Sequence, residues 1–119
     1  MAPRSDPVEW APVCRLAELE IERGAAALVH GQAVALFRTD ETTVYALANP
    51  DPFDRHQVLA KGIVGVSEGV PFVASPLHKH GFDLRTGQCL DEPHVSVAAY
   101  DVQVVEGVVL VGQRKSVAA

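Results

Sequence analysis

A chain of 119 residues, 48% hydrophobic and 21% charged, is long enough for one domain with a real core and too short for two. Its net charge of −5 argues against nucleic acid or an anionic membrane as partner, since both need a basic patch. No apolar run approaches the ~20 residues that cross a bilayer, and the N-terminus MAPRSDPVEW lacks the apolar core of a secretory signal, so a cytoplasmic location is expected.

Residues 1–8, with Pro3 and Pro7, are expected to form a flexible arm, 9–113 a single domain, and 114–119 a flexible tail. Trp10 to Leu16 opens a first strand, with Trp10 as candidate anchor in the core. Ala17–Ile21 alternates polar and apolar residues and reads as strand or turn, although its composition also suits a helix. Glu18, Glu20 and Glu22 make an acidic cluster that is read as a solvated strand face rather than a docking site. Gln32–Arg38 alternates, with Ala33, Ala35 and Phe37 on one face and Val34 and Leu36 on the other. Asp40-Glu41-Thr42 turns the chain into Thr43–Leu47, a first hairpin.

Two prolines make Asn49-Pro50-Asp51-Pro52-Phe53 an ordered loop, since each removes a donor. Asp54–Ala60 suits a short helical turn. Ile63–Val66 and Val70–Ala74 flank Ser67-Glu68-Gly69, a second hairpin. Val95, Val97 and Ala99 alternate with Ser96 and Ala98 as another strand. Tyr100–Val105 and Val108–Gly112 flank Glu106-Gly107, a third hairpin. Turn signals of this density point to an all-β barrel or sandwich. Cys14 and Cys89 are too few and too scattered for a disulfide framework, and both suit small buried apolar positions.

The stretch Phe72–Gly87, FVASPLHKHGFDLRTG, carries the most information. An apolar strand end runs to Ser75, Pro76 forces the chain out of the sheet, and Gly81 permits the return of Phe82-Asp83-Leu84. The loop between holds His78, Lys79 and His80. Ser75-Pro76-Leu77-His78, then Phe82-Asp83, then Thr86-Gly87, resembles the second cluster-binding loop of Rieske iron–sulfur domains, with serine at the ligand cysteine. Such a centre takes two cysteines and two histidines from two loops. In the corresponding first loop, Asn49 and Asp51 stand at the cysteine and histidine places. Of the degenerate ligand positions Asn49, Asp51, Ser75 and His78, the last alone keeps its ligand type. A hydroxyl cannot stand in for a thiolate on ferric iron, so no cluster, and no other cofactor or metal, is expected on this chain.

The order Asn49–Phe53, Leu59–Gly65, Pro71–Leu77, Phe82–Leu90 and Val95-Ser96-Val97 is similar to that of the small subunit of assimilatory NAD(P)H-dependent nitrite reductase. The resemblance implies an all-β, Rieske-like [2Fe-2S] domain fold, an antiparallel sandwich or partly open barrel of hairpins that retains the cluster loops without their ligands. It implies a subunit that is not catalytic alone. The partner would be a large subunit carrying FAD, siroheme and an iron–sulfur cluster and reducing nitrite to ammonia. The expected contact is the former cluster-loop tip: Pro50, Phe53, Leu77, His78, Lys79 and His80.

Plainer readings stand beside these. Asn49, Asp51 and Ser75 cap loop bends by side-chain hydrogen bonds, His78 is a surface histidine, Asp83 satisfies a turn, and Lys79 and Arg85 are solvated. Rival functions are a zinc or mononuclear iron site built from His78, His80, Cys89 and His94, and a Rieske-type electron-transfer ferredoxin. No nucleophile elbow, phosphate loop or paired-carboxylate motif supports a stand-alone enzyme.

Overall fold

Positive φ at both residues of three X-Gly pairs, His30-Gly31, Glu68-Gly69 and Glu106-Gly107, makes the tight turns whose twist suits antiparallel strands. In the computed structural model, which describes residues 10–53, 58–76 and 79–115, these turns join three strand pairs. They link β2 (Arg23–Val29) to β3 (Gln32–Arg38), β5 (Ile63–Ser67) to β6 (Val70–Ala74) and β8 (Ala99–Val105) to β9 (Val108–Arg114). The remaining strands are β1 (Ala11–Arg15), β4 (Val44–Ala48) and β7 (Gly81–Asp83). One sheet has six strands in the order β1-β9-β8-β4-β3-β2, and a second has three, β5-β6-β7. All strand pairs are antiparallel. The outer strands β1 and β2 come back into contact, so the larger sheet nearly closes as a barrel.

β3 shows how the core divides. Ala35 and Phe37 join Leu47, Leu59, Val73, Phe82, Leu84 and Cys89 in one buried cluster, which reaches across to the small sheet. Val34 and Leu36 enter a second cluster with Leu19, Val29, Val109 and Val111. The two predicted faces are therefore real, and both are buried, as befits a central strand. Trp10, expected as a core anchor, is half-buried and belongs to neither cluster; its ring packs against Gly112, where a Cβ would stand 2.9 Å away.

The structure refines the sequence reading at several points. The predicted hairpin of β3 and β4 is preceded by another, β2–β3, whose alanine-rich strand carries weak β propensity by itself. Of the two readings of Ala17–Ile21, strand or turn, the turn holds: Leu16–Glu18 is a 3-10 turn and Ile21 makes a single bridge to Arg38. The Arg38 guanidinium explains this, donating to Leu16 O (3.2 Å), Leu19 O (2.9 Å), Asp40 O (3.1 Å) and Glu41 O (2.8 Å). Residues 95–98 also fail as a strand, apart from a bridge between Gln88 and Ser96. Their donors go to turns instead, Val95 N to Glu92 O and Val97 N to Gly87 O, both at 2.8 Å. β9 runs to Arg114, one residue past the predicted domain boundary. Of the predicted helical turn, 54–57 lie outside the described residues, and Leu59–Lys61 is a 3-10 turn with Leu59 and Ala60 buried.

That turn presses on β2 so closely that a Cβ on Gly24 would overlap the Ala60 carbonyl oxygen. Backbone cannot yield as a side-chain tip can, so Gly24→Ala is expected to destabilise the fold by about 3 kcal/mol. Chemical denaturation checks this, and a loss within ordinary surface scatter would show that the two segments are free to part.

Candidate functional site

Two loops at one end of the small sheet meet through side chains that the sequence places at former ligand positions. The first leaves β4. Asn49 is buried, and its backbone O accepts from Leu59 N (3.1 Å) while its Oδ1 accepts from Ala60 N (2.9 Å). It thus fixes the 3-10 turn that presses on Gly24. Asp51 is fully buried, and its Oδ1 accepts from Phe53 N at 2.9 Å, an Asx turn that sets the bend through Pro52.

The second loop leaves β6. Ser75 is buried, its O accepts from Lys79 N (2.8 Å) and its N donates to His80 O (2.9 Å), so the loop closes on this one residue. Lys79 takes the left-handed conformation, φ 60°, that the reversal demands. Ser75 Oγ–H then donates to Asp51 Oδ2 at 2.5 Å, joining the loops. A carboxyl buried this completely needs donors on its oxygens, and Ser75 and Phe53 each supply one.

An iron–sulfur cluster does not fit this arrangement. Asp51 and Ser75, at two of the ligand places, touch each other directly, so no volume separates them for metal ions. Asn49 has turned its oxygen to Ala60 N. Neither cysteine is placed to replace the lost sulfur. Cys89 is 1% exposed within the core, and Cys14 lies on β1, where burial and then the charge of Glu18 push its thiol above the ordinary range. Among the described residues no group of three or more His, Cys, Asp or Glu side chains could hold a metal ion. His80 stacks on Phe53, and His94 stands in solvent beside Glu92 at 3.6 Å. Leu77 and His78 lie outside the described residues.

The outer surface of the tip is aromatic. Phe53, 38% exposed, stacks on His80 with ring centroids 4.0 Å apart and 17° between planes, and its ring tilts toward Phe82 at 6.4 Å. Pro50 is half-buried between Asn49 and Asp51, and Lys79 is exposed. A third segment, not expected from the sequence, supports the tip: Gly81 N donates to Asp91 Oδ2 (2.8 Å) and Leu90 N to Gly81 O (2.7 Å). Leu90, 43% exposed, thereby lies against Gly81. Its sequence signal is its place just before the Asp91-Glu92-Pro93 turn.

At the other end of β7, Asp83 satisfies the turn as expected, its Oδ1 accepting from Arg85 N at 2.8 Å. Arg85 is not merely solvated: its Nε and Nη2 donate to the two Asp83 oxygens at 3.1 and 3.0 Å. Burial works against the charged Asp83 carboxylate, but the Arg85 side chain and backbone hydrogen bonds outweigh it and hold the carboxyl below its usual range.

These bonds can be weighed by substitution. Asp51→Ala leaves the buried Ser75 hydroxyl and the part-buried Phe53 N–H without their acceptor and is expected to cost about 3 kcal/mol, with Ser75→Ala costing about 1 kcal/mol; urea melts of both variants measure this, and near-equal small losses would mean the loops are held elsewhere. A depressed carboxyl pKa stabilises above the usual carboxylate range, and the gain is lost as pH falls through the folded value. Asp83→Asn should therefore flatten the acid limb of a Tm-against-pH profile, and an unchanged limb would remove the Arg85 pair as its source.

The Rieske-like [2Fe-2S] domain family matches residues 9–112. The nitrite reductase (NADH) small subunit of Escherichia coli strain K12 is 36% identical over 102 residues, 85% of this chain and 94% of that protein. The crystal structure of an NADH-dependent nitrite reductase small subunit from Mycobacterium tuberculosis superposes with a TM-score of 0.87 at 41% identity, covering 91% of this chain and 97% of that one. The nitrite reductase [NAD(P)H] large subunit of Klebsiella oxytoca contains a 109-residue segment 36% identical to 92% of this chain, though that segment is only 11% of the large subunit. With the fold and the loop geometry in agreement, the chain belongs to the Rieske-like [2Fe-2S] domain family and, within it, to the nitrite reductase small subunits.

Proposed function

We propose that this chain is the non-catalytic small subunit of an NAD(P)H nitrite reductase, docking by its loop tip on a large subunit that reduces nitrite to ammonia. The observation that carries this reading is the direct Ser75–Asp51 hydrogen bond. It replaces a redox centre by a protein cross-link, so the chain keeps the shape of the tip without the means to carry electrons there. Six-electron reduction of nitrite needs redox cofactors. FAD, siroheme and an iron–sulfur cluster are assigned to the large subunit.

The large-subunit homologue in Klebsiella oxytoca supports the pairing, because it includes a segment homologous to this chain. Residence in one polypeptide holds two modules at high effective concentration. Separate chains must achieve the same proximity with an interface. The tip has the chemistry for one: the Phe53–His80 stack offers a rigid amphipathic anchor, and aromatic residues are enriched at interface centres. Pro50 and Lys79 flank this stack, and the interface expected from the sequence also takes in Leu77 and His78, which lie outside the described residues.

Phe53→Asp should reduce co-purification with the large subunit by tenfold or more, on the order of the 2 kcal/mol expected of a hot-spot residue, while the melting temperature of the isolated chain stays close to the parent. Leu77→Ala with His78→Ala should weaken it in the same direction. Full retention by all variants would place the interface elsewhere. Anaerobically purified protein should contain substoichiometric iron and acid-labile sulfide, and two irons per chain with visible bands would make it an electron carrier instead.

A further inference from the structure

The end of β7 opposite the tip borders a concavity rich in basic side chains. A cleft of about 460 Å³ lies between the Arg85-Thr86 turn, the segment from Pro93 to Ala99 and the end of β9. That volume is in the range of small-molecule sites, roughly 300–1,000 Å³. Its lining includes Arg85, Arg114, Lys115 and His94, and, among the described residues, no aspartate or glutamate. Three of the ten Lys and Arg residues of an acidic chain thus converge on one cleft. Thr86 and Ser96 add hydroxyls to the lining, and its floor is apolar, with Val97 and Ala99 buried.

Two of the cations, Arg85 and Lys115, are held in place. Arg85 is clamped by both oxygens of Asp83, which offsets its charge but fixes its plane. Lys115 Nζ donates to Arg85 O at 3.0 Å, and Lys115 N donates to Ala99 O at 2.7 Å, so the end of β9 is tied across the cleft. His94 is balanced in part by Glu92. The Arg114 guanidinium has no carboxylate partner among the described residues. An unneutralised arginine beside an oriented lysine and two hydroxyls is a donor set suited to phosphate oxygens, since the guanidinium fork matches them in pairs. The apolar floor would be wasted on a bare ion.

We propose that this cleft binds a phosphorylated small molecule with an apolar or aromatic body, such as a nucleotide, with Arg114 and Lys115 on the phosphate and the Val97–Ala99 floor under the body. The site is distinct from the docking tip and does not depend on the partner.

The test is a titration of the full, isotopically labelled chain with AMP, with inorganic phosphate and with a poly-glutamate peptide, followed by amide chemical shifts. AMP should shift residues 85–88, 93–99 and 114–115 in a saturable way and bind roughly tenfold more tightly than inorganic phosphate, a difference of about 1.4 kcal/mol. Arg114→Glu should weaken AMP at least tenfold with a melting temperature close to the parent, since the Arg114 side chain is exposed, and Lys115→Ala should weaken AMP in the same direction while also losing the bond to Arg85 O. Equal affinity for AMP and phosphate overturns the organic ligand. Saturation by poly-glutamate without AMP binding overturns the proposal in favour of an acidic protein partner. Shifts that do not saturate, or that persist in both variants, overturn it altogether.

Discussion

The bond from Ser75 Oγ to Asp51 Oδ2 is short, buried and placed where two loops from different strands come together. Much else depends on it. Asp51 can bend its own loop because its other oxygen holds Phe53 N, and that bend is what lays Phe53 on His80. Ser75 can close its loop because its backbone holds both Lys79 and His80. The exposed aromatic stack is therefore the outer end of a chain of buried polar contacts. Every buried link in that chain carries a desolvation penalty if its partner is removed, which holds the two loops in one arrangement.

The same economy of contacts runs down into the barrel. Asn49 ties the 3-10 turn at Leu59–Lys61 to the first loop, and that turn packs its carbonyl against Gly24 of β2. Through Leu59 it also enters the buried cluster of Phe37, Val73 and Phe82, each a side chain whose burial contributes roughly 1.5–3 kcal/mol. Position of the tip is thus set by the core, and the core by β3, which feeds alternate residues to two separate clusters. β7 then separates two surfaces of different character, an aromatic tip at one end and a cationic cleft at the other.

Much of this was legible in the sequence, and the parts that were not share a cause. The X-Gly turns at Glu68-Gly69 and Glu106-Gly107 have a local chemistry that residues announce directly, and both hairpins lie where the sequence puts them. The loops at Asn49–Phe53 and Ser75–Gly81 were legible from their prolines and from the spacing of former ligands. The mutual bond of Asp51 and Ser75 was not, since capping by backbone is the local reading and the observed partner is 24 residues away. β2 was hidden because Arg23–Val29 is rich in alanine, and its strand state comes from pairing with β3. Residues 95–98 alternate as a strand should, yet their donors are taken by Glu92 and Gly87. Periodicity reports which side chains can be buried, not which acceptors lie nearest.

The pairing of β1 with β9 has a consequence for architecture on a larger scale. Ala11 lies opposite Val111, so the chain enters and leaves the barrel at neighbouring points of one sheet edge. A module whose entry and exit are adjacent can be spliced into a longer polypeptide without stretching its fold. A homologous segment within a Klebsiella oxytoca large subunit is an arrangement this geometry readily permits. The same adjacency of entry and exit lets one fold serve either as a separate chain or as an internal module.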